Sequence, residues 1–244
     1  MKTLKRILLL IAVFLIVVVI FNYPKLNILA GYSAKNTASS VFLGKRTLAF
    51  TDKTDNNFSP VNLATDAIDT ENKWATSSAF GLLTRKAIYR AGLGAVLSID
   101  ASDESASYLV PKRLKANNSA PFPYGNAPQK DTVFANINYS KLNKTVGAIF
   151  GKEKTRAVVV IHKDQIILEK YADGFDKDSR ILGWSMTKSI MSTVFGVLEH
   201  QNKIDLHEKA PIASWQKDAR KNITINNLLQ MNSGLEWDEN YDEI

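Results

Sequence analysis

The stretch Gly183-Trp184-Ser185-Met186-Thr187-Lys188-Ser189-Ile190-Met191, continuing through Ser192-Thr193-Val194-Phe195-Gly196-Val197-Leu198, decides how the chain is read. Its apolar positions cover more than one helical face, which predicts a helix buried on most sides. Lys188 follows Ser185 by three residues, a spacing that sets two side chains on one helix face within reach of each other. A lysine in the first turn of a buried helix is costly as a cation, and desolvation draws such a group toward its neutral form. A neutral amine takes a proton from a hydroxyl, which would make Ser185 a nucleophile and Lys188 its base. The plainer alternative is that Ser185 caps the helix while Lys188 snorkels to solvent.

Spacing alone does not decide between them. With 18 serines and 23 lysines in 244 residues, chance yields roughly two Ser-x-x-Lys matches, and the sequence holds two. The second, Ser214 to Lys217, follows Pro211 and sits among Lys209, Asp218, Arg220 and Lys221, the composition of a solvated surface segment. Only the Ser185 match is embedded in an apolar helix.

Working outward from that helix, Tyr139, Leu142, Val146, Ile149 and Phe150 recur at helical spacing, predicting a helix over 140–150. The β-branched run 157–161 and the apolar-rich run 165–171 flank His162-Lys163-Asp164 and read as a hairpin. On the far side, Thr224 is placed to cap a short helix ending before Asn232-Ser233-Gly234. Four of the seven prolines fall within 111–130, marking a linker. Before it, Val41-Phe42-Leu43 and Leu48-Ala49-Phe50 look like a strand pair around Gly44-Lys45-Arg46, and residues 95–99 read as another strand. Gly92-Leu93-Gly94 lacks the setting of a nucleotide loop and reads as a tight turn.

The chain opens with Lys2, Lys5 and Arg6 ahead of an unbroken apolar run, residues 7–21. Cations before such a run keep the N-terminus in the cytoplasm and direct the rest of the chain to export. Fifteen residues are short of the about 20 that a span usually needs. An uncleaved single-pass anchor in a bacterial cytoplasmic membrane is favoured over a cleaved signal, because Ala30-Gly31 makes a poor cut site; the remainder would then lie on the periplasmic or extracellular side. There is no cysteine, which excludes disulfides, thiolate metal sites, a cysteine nucleophile and a lipoprotein anchor. The net charge of +7 is scattered rather than interleaved with aromatics, so nucleic acid is not an expected partner. His200 and His207 have no convincing third ligand, so neither a metal nor any other cofactor is expected.

The order helix, hairpin, loop, Trp184-Ser185-Met186-Thr187-Lys188-Ser189 helix, then Ile223-Thr224-Ile225, Leu228-Leu229 and Ser233-Gly234-Leu235, resembles the serine β-lactamase and penicillin-binding group over residues 132–241. Within that group it is most similar to class C-like esterases and 6-aminohexanoate-dimer hydrolases. The resemblance implies an α+β fold, the N-terminal part of a β-lactamase-like antiparallel sheet with helices, preceded by a membrane helix and a small β-containing region. It divides the chain into an anchor or signal segment (1–30), an extension with the Pro-rich linker (31–130) and the first half of a hydrolase domain (131–244). It makes Ser185 the acylated nucleophile, Lys188 its proton partner, the Ser185 N–H one oxyanion donor, and Tyr241 a candidate substrate contact. The implied substrate is a small amide or ester, peptidoglycan-related compounds included.

Two departures stand against it. No Tyr-x-Asn or Ser-x-Asn comes after Lys188, and neither does a Lys- or His-led triplet ending in glycine. The expectation is therefore an incomplete, inactive member of the family, truncated before its closing strands. The alternative is a non-catalytic envelope protein that uses the same half-fold to bind peptidoglycan fragments or a protein partner.

Overall fold

The computed structural model describes residues 2–100, 105–112, 119–152 and 154–237, in two compact units, Met1–Arg180 and Ile181–Ile244. In the first, a single helix, α1 (Lys2–Ala38), runs from the apolar stretch into the folded layer without a linker, with Pro24 inside it. Its second half presents Ala30, Ser33, Ala34, Thr37 and Ala38 at three- and four-residue spacing, one face of small residues. That face is fully buried against a four-stranded antiparallel meander, β1 (Ala64–Asp69), β2 (Trp74–Ala79), β3 (Leu83–Arg90) and β4 (Gly94–Ser98), in the order 1-2-3-4. The strand residues that meet it are small too. Ala75, Ser77 and Ala79 alternate inward along β2, and Ala87 joins them from β3. Small side chains on both surfaces let the helix backbone lie close to the sheet. The β3–β4 turn needs positive φ at Gly92 and Gly94, as its glycines foretell.

The strand pair expected over 41–50 is not there. Ser39–Leu43 continues α1 as a π-helical turn, ended by the Gly44 N–H on the Ser39 carbonyl. Leu48–Lys53 then forms helix α2, capped by the Thr47 hydroxyl, which accepts the Phe50 N–H at 3.1 Å. Three-residue apolar runs carry no period that separates strand from helix, and the helix already under way was extended.

The helix and hairpin expected further on are present as α3 (Tyr139–Lys152), β5 (Ala157–His162) and β6 (Gln165–Tyr171). Lys163 and Asp164 are both left-handed, the form a two-residue hairpin turn requires. Asp55 ties this part to the N-terminal layer. It pairs with Arg46 at 3.6 Å and with Arg156, and both guanidiniums lie over the Phe175 ring, 5.3 and 5.2 Å from its centroid.

The second unit holds α4 (Met186–His200), two 3-10 turns (Ala213–Lys217 and Ala219–Asn222) and the short α5 (Ile225–Leu229). Thr224 and Asn227 close a reciprocal capping box on α5. The chain is thus mixed α and β with antiparallel sheets, and α1 crosses residue 30, where the anchor was expected to end. Among the described residues no helix is long and apolar enough to cross a membrane.

Candidate active site

Ser185 directly precedes α4, yet its side chain makes no capping bond. Its Oγ instead accepts a hydrogen bond from Lys188 Nζ at 2.9 Å. The plain N-cap reading of Ser185 therefore does not hold, and the two residues singled out from their spacing are together. The turn that carries them is tightly tied. The Met186 N–H reaches the Gly183 carbonyl at 3.0 Å, and Thr187 binds the Trp184 carbonyl through both its N–H (3.1 Å) and its hydroxyl (2.7 Å). Trp184 is left-handed at φ 45°, an uncommon conformation for a bulky residue. A Cβ at position 183 would meet the Thr187 methyl at 3.3 Å, so glycine suits the close approach there. Among the described residues the Ser185 N–H has no hydrogen-bond partner.

The burial expected of this helix is a different matter. No residue of α4 is buried, Ile190 is 65 % exposed, and both Ser185 and Lys188 face solvent. Among the described residues of 181–244, α5 and the segment 204–212 line a pocket with one side of α4, and its other apolar positions, Ile190 and Val194 among them, are exposed. The dry surroundings invoked for Lys188 are therefore absent.

On the packed side α4 and its neighbours line an open cavity of about 520 Å³, with Lys188, Ser192, Phe195, Ile204, Ile212 and Leu228 among its walls. Residues 185, 188, 192 and 195 fall within one helix face, so the hydroxyl, the amine and the cavity floor share a side. The cavity was not foreseen. Its signal was the apolar residues at 204, 212, 225 and 228 punctuating a polar stretch.

The other candidates separate from this pair. Ser214 and Lys217 lie in an exposed 3-10 turn and make no hydrogen bond to each other among the described residues. His200 ends α4, fifteen residues from Ser185 and so roughly 22 Å along the axis. The ring of His162, at the end of β5, stands edge-on to Phe134 at 4.7 Å. Tyr241 lies outside the described residues.

The Beta-lactamase family model matches residues 148–244, less than half of the chain. No curated protein and no solved structure matches. The family match supports the likeness of this segment to serine β-lactamases and penicillin-binding proteins, and with it a serine-hydrolase-like chemistry.

Proposed function

We propose that this chain is a membrane-tethered serine hydrolase related to the β-lactamases, in kind nearest to the class C-like esterases and 6-aminohexanoate-dimer hydrolases. It forms an acyl-enzyme on Ser185 from a small amide or ester. The observation that carries the proposal is the 2.9 Å contact between Lys188 Nζ and a Ser185 Oγ that caps nothing. With Lys188 as the free amine, the same contact runs in reverse and the Ser185 O–H donates. Ser185 Oγ attacks the carbonyl carbon and Lys188 receives the hydroxyl proton. The C–N or C–O bond breaks, and the leaving group departs with that proton. The Ser185 N–H is the donor suited to the developing oxyanion. The apolar cavity on the same face suits a substrate whose acyl part is apolar.

The tether rests on residues 7–21, apolar throughout, behind Lys2, Lys5 and Arg6, which would leave the folded part on the outer side of the membrane. Neither of the family's further motifs occurs between residues 189 and 244, so acylation of Ser185, and not turnover, is the step that tests this chain. A fluorophosphonate probe should label it up to one equivalent, with Ser185→Ala unlabelled. Equal labelling of Ser185→Ala would end the hydrolase reading.

One observation favours a second reading. The pair stands in solvent, where desolvation does not assist it. A binding protein of the cell envelope that holds a wall fragment or a protein partner would need no more than the cavity. Absence of labelling in the parent chain, together with saturable binding of a muropeptide, would favour it.

A further inference from the structure

The two hairpin turns that bound β2 differ in kind. At one end of the sheet the β1–β2 turn is Thr70-Glu71-Asn72-Lys73, with Asp69 accepting the Asn72 N–H at 2.8 Å, an ordinary water-facing turn. At the other end the β2–β3 turn is Phe80-Gly81-Leu82, with Phe80 60 % and Leu82 58 % exposed. Leu63, exposed as well, precedes Ala64, which pairs with Ala79, so it flanks that turn. Phe80 sits at φ 54°, a left-handed position that glycine or asparagine fills at less cost. An aromatic ring held there stays more than half exposed within the fold, which leaves most of its surface for a contact from outside.

The direction of α1 says what lies outside. Leu29 and Ala30 pack on Ala79, Ala64 and Leu83, whereas Ala34 and Ala38, further along, pack on Ala75 and Ala87. The Phe80 end of the sheet therefore points back along α1 toward residues 7–21, whose described side chains are exposed. The Tyr23 hydroxyl donates to the Leu82 carbonyl at 3.5 Å, so the turn is level with the end of the apolar run. From Phe21 to Leu26, which already packs on the sheet, the helix rises only about 7.5 Å. No linker intervenes, so a bilayer that held the run would meet this turn. Arg85 of β3 bonds Asn27 one helical turn beyond Tyr23, which would set a cation at the height of the phosphates of such a bilayer.

We propose that this end of the sheet is a membrane-interface collar, with Phe80 and Leu82 entering the headgroup layer of the bilayer that holds residues 7–21. It rests on the tether reading above and adds a second, separate lipid contact. It also suits an apolar run of about 22 Å against a hydrocarbon core of about 30 Å, because a short span draws the folded part tightly onto the surface. Aromatic and aliphatic side chains beside a span are stabilised at that depth.

The absence of cysteine makes the test direct. Three single-cysteine variants of the whole chain, Phe14→Cys, Phe80→Cys and Leu93→Cys, would be spin-labelled and reconstituted into phosphatidylcholine vesicles containing some phosphatidylglycerol. Leu93 is the control, exposed to a similar degree at the opposite end of the sheet. Collision with oxygen should exceed collision with a water-soluble nickel chelate at positions 14 and 80, with position 80 the shallower, and the order should reverse at 93. Lipid exposure at 14 with position 80 matching 93 would overturn the collar and leave the tether standing. Water exposure at both 14 and 80 would remove the tether itself. A label at 80 shielded from both reagents would point to a protein contact, such as a second copy, and would also overturn the proposal. Phe80→Asn suits the left-handed backbone and should keep the sheet folded by circular dichroism, yet shift a label at Leu82→Cys toward water. No shift of that label would count against the collar.

Discussion

In residues 1–180 polar side chains are gathered between a helix and a sheet, whereas in residues 181–244 the two that matter stand in solvent. Asp66 of β1 accepts from Ser33 at 2.7 Å, from Thr37 at 3.0 Å and from the Asn56 amide at 2.7 Å, and Asn56 in turn accepts from Asn36 at 2.7 Å. Ser33, Thr37 and Asn56 are buried, so each bond replaces water that cannot enter. Ser185 and Lys188 make the same kind of contact at 2.9 Å, but both residues are exposed. The lesson is that a hydrogen bond's length does not give its role. In the first unit the groups are fixed because losing one strands the others. In the second, exposure leaves both groups open to exchange partners, which the proposed reaction requires.

The largest expected effect tests that contrast at the exposed pair. Lys188→Ala should slow acylation of Ser185 by about 100- to 10,000-fold, the usual worth of general-base help, without loss of helix content. Labelling rates with a fluorophosphonate read it directly. An unchanged rate would make Lys188 as structural as the groups of the first unit.

The next effect belongs to the buried side. The Asp55 side chain is 10 % exposed and stands between Arg46 and Arg156. Asp55→Ala leaves two guanidiniums facing each other with no carboxylate between them. Removing one partner of such a buried group costs about 3–5 kcal/mol, and the partial exposure of Arg156 places this case near the lower figure. Urea unfolding followed by circular dichroism should show the loss. A change below about 1 kcal/mol, within the range of exposed ion pairs, would place this cluster with the solvated pairs instead.

A smaller effect is expected in the second unit. Thr224 accepts the Asn227 N–H at 3.1 Å and the Asn227 side chain returns a bond to the Thr224 backbone. Thr224→Ala should cost about 1 kcal/mol, the common worth of a cap. The same urea experiment measures it, and Thr224→Ser should restore most of it.

The same division governs how much of the molecule was legible in its sequence. The Ser185–Lys188 contact was legible because i and i+3 share a helix face and the apolar run marked this match, unlike Ser214–Lys217, as a helix start. The hairpin 157–171 and the cap at Thr224 were legible because their signals are local. The meander was largely not, since β2, Trp-Ala-Thr-Ser-Ser-Ala, alternates in size rather than in hydrophobicity. Its inward residues are alanine and serine because a helix of alanine, serine and threonine lies against them, and that fact belongs to the pair of surfaces. The exposure of α4 was illegible for a related reason. An apolar pattern states what a helix can bury, and packing partners decide what it does bury.

The smallest effect gives the comparison a sign. Burial, then the charge of neighbouring Asp66, pushes the Asp52 carboxyl up to about 6, whereas Arg220 holds exposed Asp218 down at about 2. The unfolded carboxyl of either residue titrates near about 3.9. For Asp52 the folded chain holds the proton more tightly, so between those two values it binds more protons than the unfolded chain. Its contribution to stability therefore falls as pH rises through that window and levels off above it. For Asp218 the unfolded chain binds more protons, so its contribution rises with pH between about 2 and about 3.9. Asp218 is open to solvent and Asp52 is only partly withdrawn from it, so screening keeps both slopes shallow. Thermal melts across pH 3 to 7, with Asp52→Asn beside the parent, isolate the first term. The difference in melting temperature between variant and parent should widen in the variant's favour from pH 4 to pH 6. A constant difference would mean that neither burial nor Asp66 raises the Asp52 carboxyl, and this edge of the polar layer under α1 would then be as open to water as the Ser185 turn.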